Sequence, residues 1–279
     1  MERYLYCSDI DGTLNRQGYY LADDTKALVN EIVDKDIWFT VATGRFLSRT
    51  LPIIEELNLK IPAICLGGAL AYDNASKRII KVWPIAKAAA EEVITRLQDL
   101  SHRCHATVYQ PKENRCLTAY NLLKSKQPYP MDKVNELGLL HDEIVVKDDL
   151  RPLLEECQAL LIDMVGEEEL LKQGYDLVKD IPGINVYLHQ SPHTPGLWVL
   201  DIVASDSGKG NAIRWLKDYM KADVSVAFGD NFNDLPMLEA ADIGVTMAES
   251  PDSLKAVVDL VLPPTPNCVP EYVLEREAK

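Results

Sequence analysis

The sequence predicts an α/β protein: a Rossmann-like open parallel sheet core interrupted by an inserted α+β domain. Two observations predict it. Short apolar runs alternate with helix-like segments at both ends of the chain, and the interval between them follows a different pattern. Residues 1–83 and 190–279 therefore read as two parts of one core domain, with 84–189 as the insertion. A chain of 279 residues is long enough for this, since about 150 residues make a typical domain.

Residues 4–10 and 37–43 read as strands buried on both faces, and the segment between them places Leu28, Val29, Ile32 and Val33 on one side of a helix, with Asp23 and Asp24 as cap candidates. Together they make a βαβ unit, and 61–66 supplies a third strand. Parallel strands need right-handed crossovers, which brings their C-terminal ends to one edge, the edge where ligands bind. The same grammar returns after residue 196: a strand at 197–203, a helix at 209–220, a strand at 224–228, a helix starting near Leu235 and a strand at 243–246. All are expected beside the first half. Asp234 reads as a cap, with Pro236 in the first helical turn, where no amide donor is needed. The insertion mixes an amphipathic helix at 86–100 with alternating strands at 105–109 and 185–189, and its exits carry Pro84, Pro192 and Pro195. The proline-rich stretch 263–270 is expected to wrap the surface.

A formal net charge of −14 removes the broad positive footprint that binding to nucleic acid or an anionic membrane requires, so an anionic ligand needs a local site. The first residues lack the apolar segment of a secretory leader, and no run approaches the about 18 apolar residues of a membrane span. The expected location is the cytoplasm. The cysteines, Cys7, Cys65, Cys104, Cys116, Cys157 and Cys268, lack zinc-motif spacing and read as reduced thiols. His189 and His193 do not read as a metal pair, because neighbouring prolines exclude a helix there.

Chemistry-bearing residues collect at the strand ends. Asp9-Ile10-Asp11-Gly12-Thr13 follows the first strand and sets two carboxylates on one turn, able to share a divalent cation while one attacks and the other trades a proton. Taken alone, the segment reads nearly as well as an Asp-rich capping turn. Thr43-Gly44-Arg45 follows the second strand and gathers a hydroxyl, an unhindered amide and a guanidinium, a grip for phosphate oxygens or simply a turn with a surface arginine. Lys209, between Gly208 and Gly210, stands in the first turn of a helix, where its charge opposes the helix dipole unless an anion lies nearby. The order of glycine and lysine is not that of a P-loop. Gly229-Asp230-Asn231-Phe232-Asn233-Asp234 adds two acids and two amides at another strand end, and magnesium suits a few carboxylates converging from separate strands.

With these four motifs in this order and the long insertion between the second and third, the chain resembles the haloacid dehalogenase-like (HAD) superfamily, in particular the Cof-type phosphatases of subclass IIB. The resemblance spans essentially the whole chain, and it identifies the insertion as a mobile cap domain. It implies a magnesium-dependent phosphatase of small phosphorylated metabolites, such as sugar phosphates or phosphorylated cofactors. Asp9 is then the nucleophile and Asp11 the proton donor and acceptor. Mg²⁺ is held by Asp9, the Asp11 carbonyl and Asp230, and the phosphoryl oxygens by Ile10, Thr43, Gly44, Lys209 and Asn233. Asp234 and Arg45 stand behind these groups. Asp11 is expected to be the less acidic of the pair, Asp9 being kept ionised by the metal. On the cap, Tyr109, Tyr187 and His189 are candidates for contacting the leaving group. Two other functions fit the same motifs: a phosphosugar mutase and a noncatalytic phosphosugar sensor. The chain departs from the family in having Gly67-Gly68-Ala69 for Asn-Gly-Ala and Ala248-Glu249-Ser250 for Gly-Asn-Ala.

Overall fold

The computed structural model describes residues 2–16, 20–98, 100, 104–121, 143–191 and 196–279. His102, His141 and His193, and the exit prolines Pro192 and Pro195, lie outside these residues. The chain divides into two compact units, Met1–Lys81 with Gly208–Lys279, and Val82–Ser207.

In the first unit a five-stranded, all-parallel sheet runs in the order Leu260–Leu262, Ile243–Met247, Val224–Phe228, Tyr4–Ser8 and Trp38–Val41. The central strands are continuous apolar runs because helices cover both faces. Leu5, Tyr6, Cys7, Val226, Ala227 and Phe228 are fully buried. The helix Asp23–Asp34 lies where the periodicity puts it and buries Val29, Ile32 and Val33, but it begins at Asp23 and its cap position, Ala22, has no side-chain hydrogen bond.

Three expectations are corrected here. Only Ala63–Cys65 of the third strand forms, and it pairs antiparallel with Leu70–Asp73 in a separate three-stranded sheet, meeting the main sheet through one parallel bridge, Ala42 to Ile64. The stretch 263–270 is exposed at 263–266, as expected, but its end turns into the helix Cys268–Glu277, which buries Val269 and Val273 and tolerates Pro270 because it lies in the first turn; an edge strand, Leu260–Leu262, precedes it. The third correction concerns residues 197–203. The strand Trp198–Ala204 is not in the core sheet but lies between Ile184–Gln190 and Gln158–Gly166 in the sheet of the second unit.

That sheet has six strands, and the helices Lys87–Leu97 and Glu168–Val178 cover one of its faces, where Ala106, Val108, Ile162, Met164, Leu200 and Ile202 form the core. All six cysteines of the chain are buried, and none forms a disulfide. No helix among the described residues is long and apolar enough to cross a membrane.

Asp242 ties the sheet of the first unit to its helices. It accepts from the Ser225 amide at 2.6 Å, the Ser225 hydroxyl at 2.7 Å and the Lys217 ammonium at 2.7 Å. Burial alone would raise the Asp242 carboxyl, but Lys217 and Ser225 outweigh it and hold the group down to about 2. A folded-state value below the unfolded one gives stability that is present above the ordinary carboxylate range and is lost as pH falls through about 2. With the pair partly screened by solvent, Asp242→Asn is expected to cost about 1 kcal/mol at pH 7. Urea melts should show the deficit shrinking as pH falls below about 4.

Candidate active site

The site lies within the first unit, at the C-terminal ends of its strands, where parallel strands present unpaired backbone and loops of free composition. Asp9 is the first residue past Tyr4–Ser8, and its amide donates to the Phe228 carbonyl at 2.9 Å, so its backbone is held by the neighbouring strand. Beyond it the loop locks on itself: the Gly12 amide donates to Asn15 and the Asn15 amide to Ile10. Gly12 has φ +93°, and a Cβ there would come within 2.2 Å of an Asp230 carboxylate oxygen. The first and fourth motifs therefore pack so closely that any side chain at position 12 would displace Asp230.

Asp9 and Lys209 are each 5% exposed and Asp234 is 1% exposed. The Lys209 ammonium sits between the two carboxylates, donating to Asp9 at 2.5 Å and to Asp234 at 2.6 Å. The unfavourable position of Lys209 at a helix start is thus explained by two anionic partners. Burial works against the charged lysine, but Asp9 and Asp234 overcome it and hold Lys209 above its ordinary value. Burial pushes Asp9 up to about 7, with Lys209 pulling it back and Asp234 and Asp230 adding to the rise. Asp230 is also raised, chiefly by burial. In the polypeptide alone, burial first and then the two neighbouring carboxylates outweigh the pull of Lys209, whereas the expectation that Asp9 is kept ionised concerns the metal-bound site.

Asp234 does not cap its helix. One of its oxygens holds Lys209 and the other accepts the amides of Asp230 and Asn231 at 3.2 Å, so it shapes the loop that presents Asp230. Thr13, whose role the sequence left unassigned, donates to Asp230 at 2.8 Å and is buried. Its hydroxyl, four residues after Asp9, was the only available signal. Ligand oxygens of Asp9, Asp230 and Asp234 lie within 4.8 Å of one another, a cluster able to hold a cation. Hard oxygen donors with negative charge in excess of Lys209 fit a divalent ion such as Mg²⁺. Because both Asp234 oxygens are already engaged, Asp9 and Asp230 are the carboxylates better placed to hold it.

Asp11 is turned to a different partner. Arg45 donates to it through Nε at 2.8 Å and Nη2 at 2.5 Å, a two-point pair that joins the first and second motifs. Thr43 is buried and its hydroxyl accepts the Arg45 amide at 3.1 Å, while Gly44 faces open space. Ile10 is buried, and Asn233 is exposed with no hydrogen bond among the described residues.

Both departures from the family pattern have a local explanation. Gly67 has φ 63° and ψ 17°, the left-handed region that asparagine adopts more readily than other side chains, so glycine preserves the conformation. Gly68 packs on the backbone of Gly208 and Lys209, where a Cβ would meet the Gly208 carbonyl carbon at 2.2 Å, and so seats the lysine loop. Ser250 bonds Thr246 at 2.8 Å, and Glu249 pairs with Arg16 at 2.5 Å.

Acids, a buried lysine and a threonine thus gather at the strand ends of an open parallel sheet. The profile of the haloacid dehalogenase-like hydrolase family matches residues 6–267, and the chain belongs to that family. It is 25% identical over 270 residues to pyridoxal phosphate phosphatase of Escherichia coli, covering 91% of each chain. It is 24% identical over 279 residues to 5-amino-6-(5-phospho-D-ribitylamino)uracil phosphatase of Bacillus subtilis, covering 92% of this chain and 90% of that one. A haloacid dehalogenase-like hydrolase from Bacteroides thetaiotaomicron superposes with a TM-score of 0.77 at 19% identity, over 99% of this chain and 100% of that one.

Proposed function

We propose that the protein is a magnesium-dependent phosphatase of small phosphorylated metabolites that works through a phosphoaspartyl intermediate on Asp9. The observation behind this reading is the buried Asp9, held 2.5 Å from Lys209 in a cluster whose negative charge exceeds its own cation. Relatives named for two different phosphorylated metabolites support the substrate class.

In the proposed reaction an Asp9 oxygen attacks phosphorus in line, and the bond from phosphorus to the leaving oxygen breaks as Asp11 gives that oxygen a proton. Water then attacks phosphorus, Asp11 takes its proton, and the bond from phosphorus to Asp9 breaks. Lys209, the Ile10 backbone, Thr43 with the Gly44 amide, and Asn233 hold the phosphoryl oxygens as charge develops. Mg²⁺, held by Asp9, Asp230 and the Asp11 carbonyl, supplies positive charge that keeps Asp9 ionised. Asp11 is paired with Arg45 in the resting protein, so it must leave that pair to handle a proton. A phosphoryl group arriving beside Arg45 competes for the guanidinium and releases it.

Phosphate release from a panel of phosphomonoesters, with Mg²⁺ and with a chelator, tests the reading. Release that requires Mg²⁺ is the expected result. Interconversion of phosphosugar isomers without release, followed by ³¹P NMR, would replace the reading with a mutase. Binding with no reaction would replace it with a sensor.

A further inference from the structure

The helix Leu47–Glu56 begins two residues beyond Arg45 of the second motif, and its first turn keeps donors that no acceptor meets. Its cap position is Phe46, which has no side-chain oxygen and makes no capping hydrogen bond. The amides of Arg49 and Thr50 both donate to the Phe46 carbonyl at 3.1 Å, whereas those of Leu47 and Ser48 have no acceptor among the described residues. Ser48 is 2% exposed and its hydroxyl has no partner there, and the Arg49 Nε is likewise buried and unpaired. The Thr50 hydroxyl, two residues further on, does find one, donating to the Phe46 carbonyl at 2.9 Å. A buried donor left without an acceptor is costly, and three kinds of them in one turn call for a group that the chain does not supply.

Arg49 also repeats the anomaly of Lys209. Both are cations in the first turn of a helix, where their charge opposes the dipole. Two carboxylates account for Lys209. Arg49 is half-buried, and its guanidinium has no hydrogen bond or ion pair among the described residues. Side chains lean toward the N-terminus of their helix, so Ser48 and Arg49 point back over the uncapped turn, on the side of the second motif. Room exists there, since a Cβ on Gly44 would meet nothing within 4 Å.

We propose that this turn, through the Leu47 and Ser48 amides, the Ser48 hydroxyl and the Arg49 guanidinium, binds a second anionic group of the substrate, a carboxylate or a phosphate carried on the leaving-group part. Such a group accepts from every unpaired donor of the turn and neutralises the cation that the dipole disfavours. Only four residues separate Thr43 from Leu47, at most about 14 Å of chain, so one small molecule reaches both the phosphoryl grip and the helix end. Resting on the phosphatase reading, this makes the substrate a phosphomonoester with a second acidic group, as distinct from the phosphate of a neutral sugar.

The test uses matched esters, 3-phosphoglycerate against glycerol 3-phosphate and fructose 1,6-bisphosphate against fructose 6-phosphate, on the wild type and on Arg49→Gln. The wild type is expected to show the higher kcat/KM for the member of each pair with the second anion. In Arg49→Gln the ratio within a pair should fall about tenfold or more, the loss of a charge-assisted hydrogen bond. The Tm of the variant without substrate should stay the same or rise, because a cation leaves the positive end of a helix. A wild type with no preference in either pair overturns the proposal. So does a ratio that Arg49→Gln leaves unchanged, and a lowered Tm beside that unchanged ratio would make Arg49 a structural residue. If no ester is hydrolysed, the phosphatase reading fails separately. Calorimetric titration of 3-phosphoglycerate onto wild type and Arg49→Gln then still decides the site, equal affinities overturning it.

Discussion

Asp9→Asn is expected to lower phosphate release by on the order of 10⁴-fold or more, because in the proposed mechanism it removes the atom that forms the covalent bond and leaves the groups around it without a reaction to assist. The fold should survive. Asparagine has the shape of aspartate, and the change deletes one of two carboxylates crowded against Lys209. Burial already pushes the Asp9 carboxyl up to about 7, so its charge is a burden on the metal-free protein at neutral pH. A folded-state value raised above the unfolded one means that the group favours folding fully only below the ordinary carboxylate range and loses that contribution as pH rises through about 7. Metal-free Asp9→Asn should therefore melt at the wild-type temperature or above it at pH 8, while its activity is lost. Retained stability with lost turnover separates a nucleophile from a structural residue. Turnover of the wild type in ¹⁸O-labelled water followed by mass spectrometry of the Asp9 peptide supplies the direct check. The hydrolytic step attacks phosphorus, so label should appear in released phosphate and not in Asp9. Label in the carboxylate would mean that water attacks the acyl carbon, and turnover surviving in Asp9→Asn would remove the assignment altogether.

The parts of this site that were legible in the sequence are those encoded locally. Continuous apolar runs ending in Asp9, Thr43 and Gly229 marked strand ends, and strand ends of a parallel sheet converge whatever their separation in the chain. Lys209 was conspicuous because it opposes the dipole of its own helix. Its partners were not legible: Asp234 is 25 residues away and Asp9 is 200 away, and no periodicity reports which side chain fills a buried charge site. The same holds for the pair between Arg45 and Asp11. Asp234 was misread as a cap because Asp before a proline-bearing helix is the usual capping pattern. The local signal was genuine, but tertiary packing gave the carboxylate other work.

Trp198–Ala204 shows the opposite kind of error, one in which the information was present. Trp198, Leu200, Ile202 and Ala204 alternate with Val199, Asp201 and Val203, and a strand covered on both faces would not place a carboxylate in its middle. Period two with a central Asp belongs to a sheet with one polar face, which is where the strand lies. The missed hairpin at Ala63–Cys65 and Leu70–Asp73 had weaker signals, since three- and four-residue strands joined through two glycines give periodicity too little length to register.

Lys209→Met tests the same cluster from the side of the cation, and its effects should be large on both axes. Removing the ammonium leaves Asp9 and Asp234 facing each other in a site where they are 5% and 1% exposed. Breaking one partner out of a buried ionic cluster costs about 3–5 kcal/mol, because the remaining charges keep their desolvation and lose their attraction. Asp9 then holds its proton to higher pH than in the wild type, since the group pulling its value down is gone. Thermal melts with and without Mg²⁺ should show the deficit shrinking when the divalent ion is present, for its charge replaces part of what was lost. Turnover should not recover in parallel. An ion held by Asp9 and Asp230 cannot donate the hydrogen bonds that the proposed mechanism assigns to the lysine at the phosphoryl oxygens, a loss worth roughly 10²–10³ in rate. The double variant Lys209→Met/Asp234→Asn makes the distinction sharper. Neutralising Asp234 relieves the repulsion, so stability should return toward the wild type by more than the single changes predict, the coupling expected of groups in direct contact. Activity should remain at the Lys209→Met level. Strict additivity in stability would mean that the three side chains do not form one electrostatic unit, and recovery of turnover in the double variant would place Lys209 outside the chemistry, as a counter-ion for Asp234 alone.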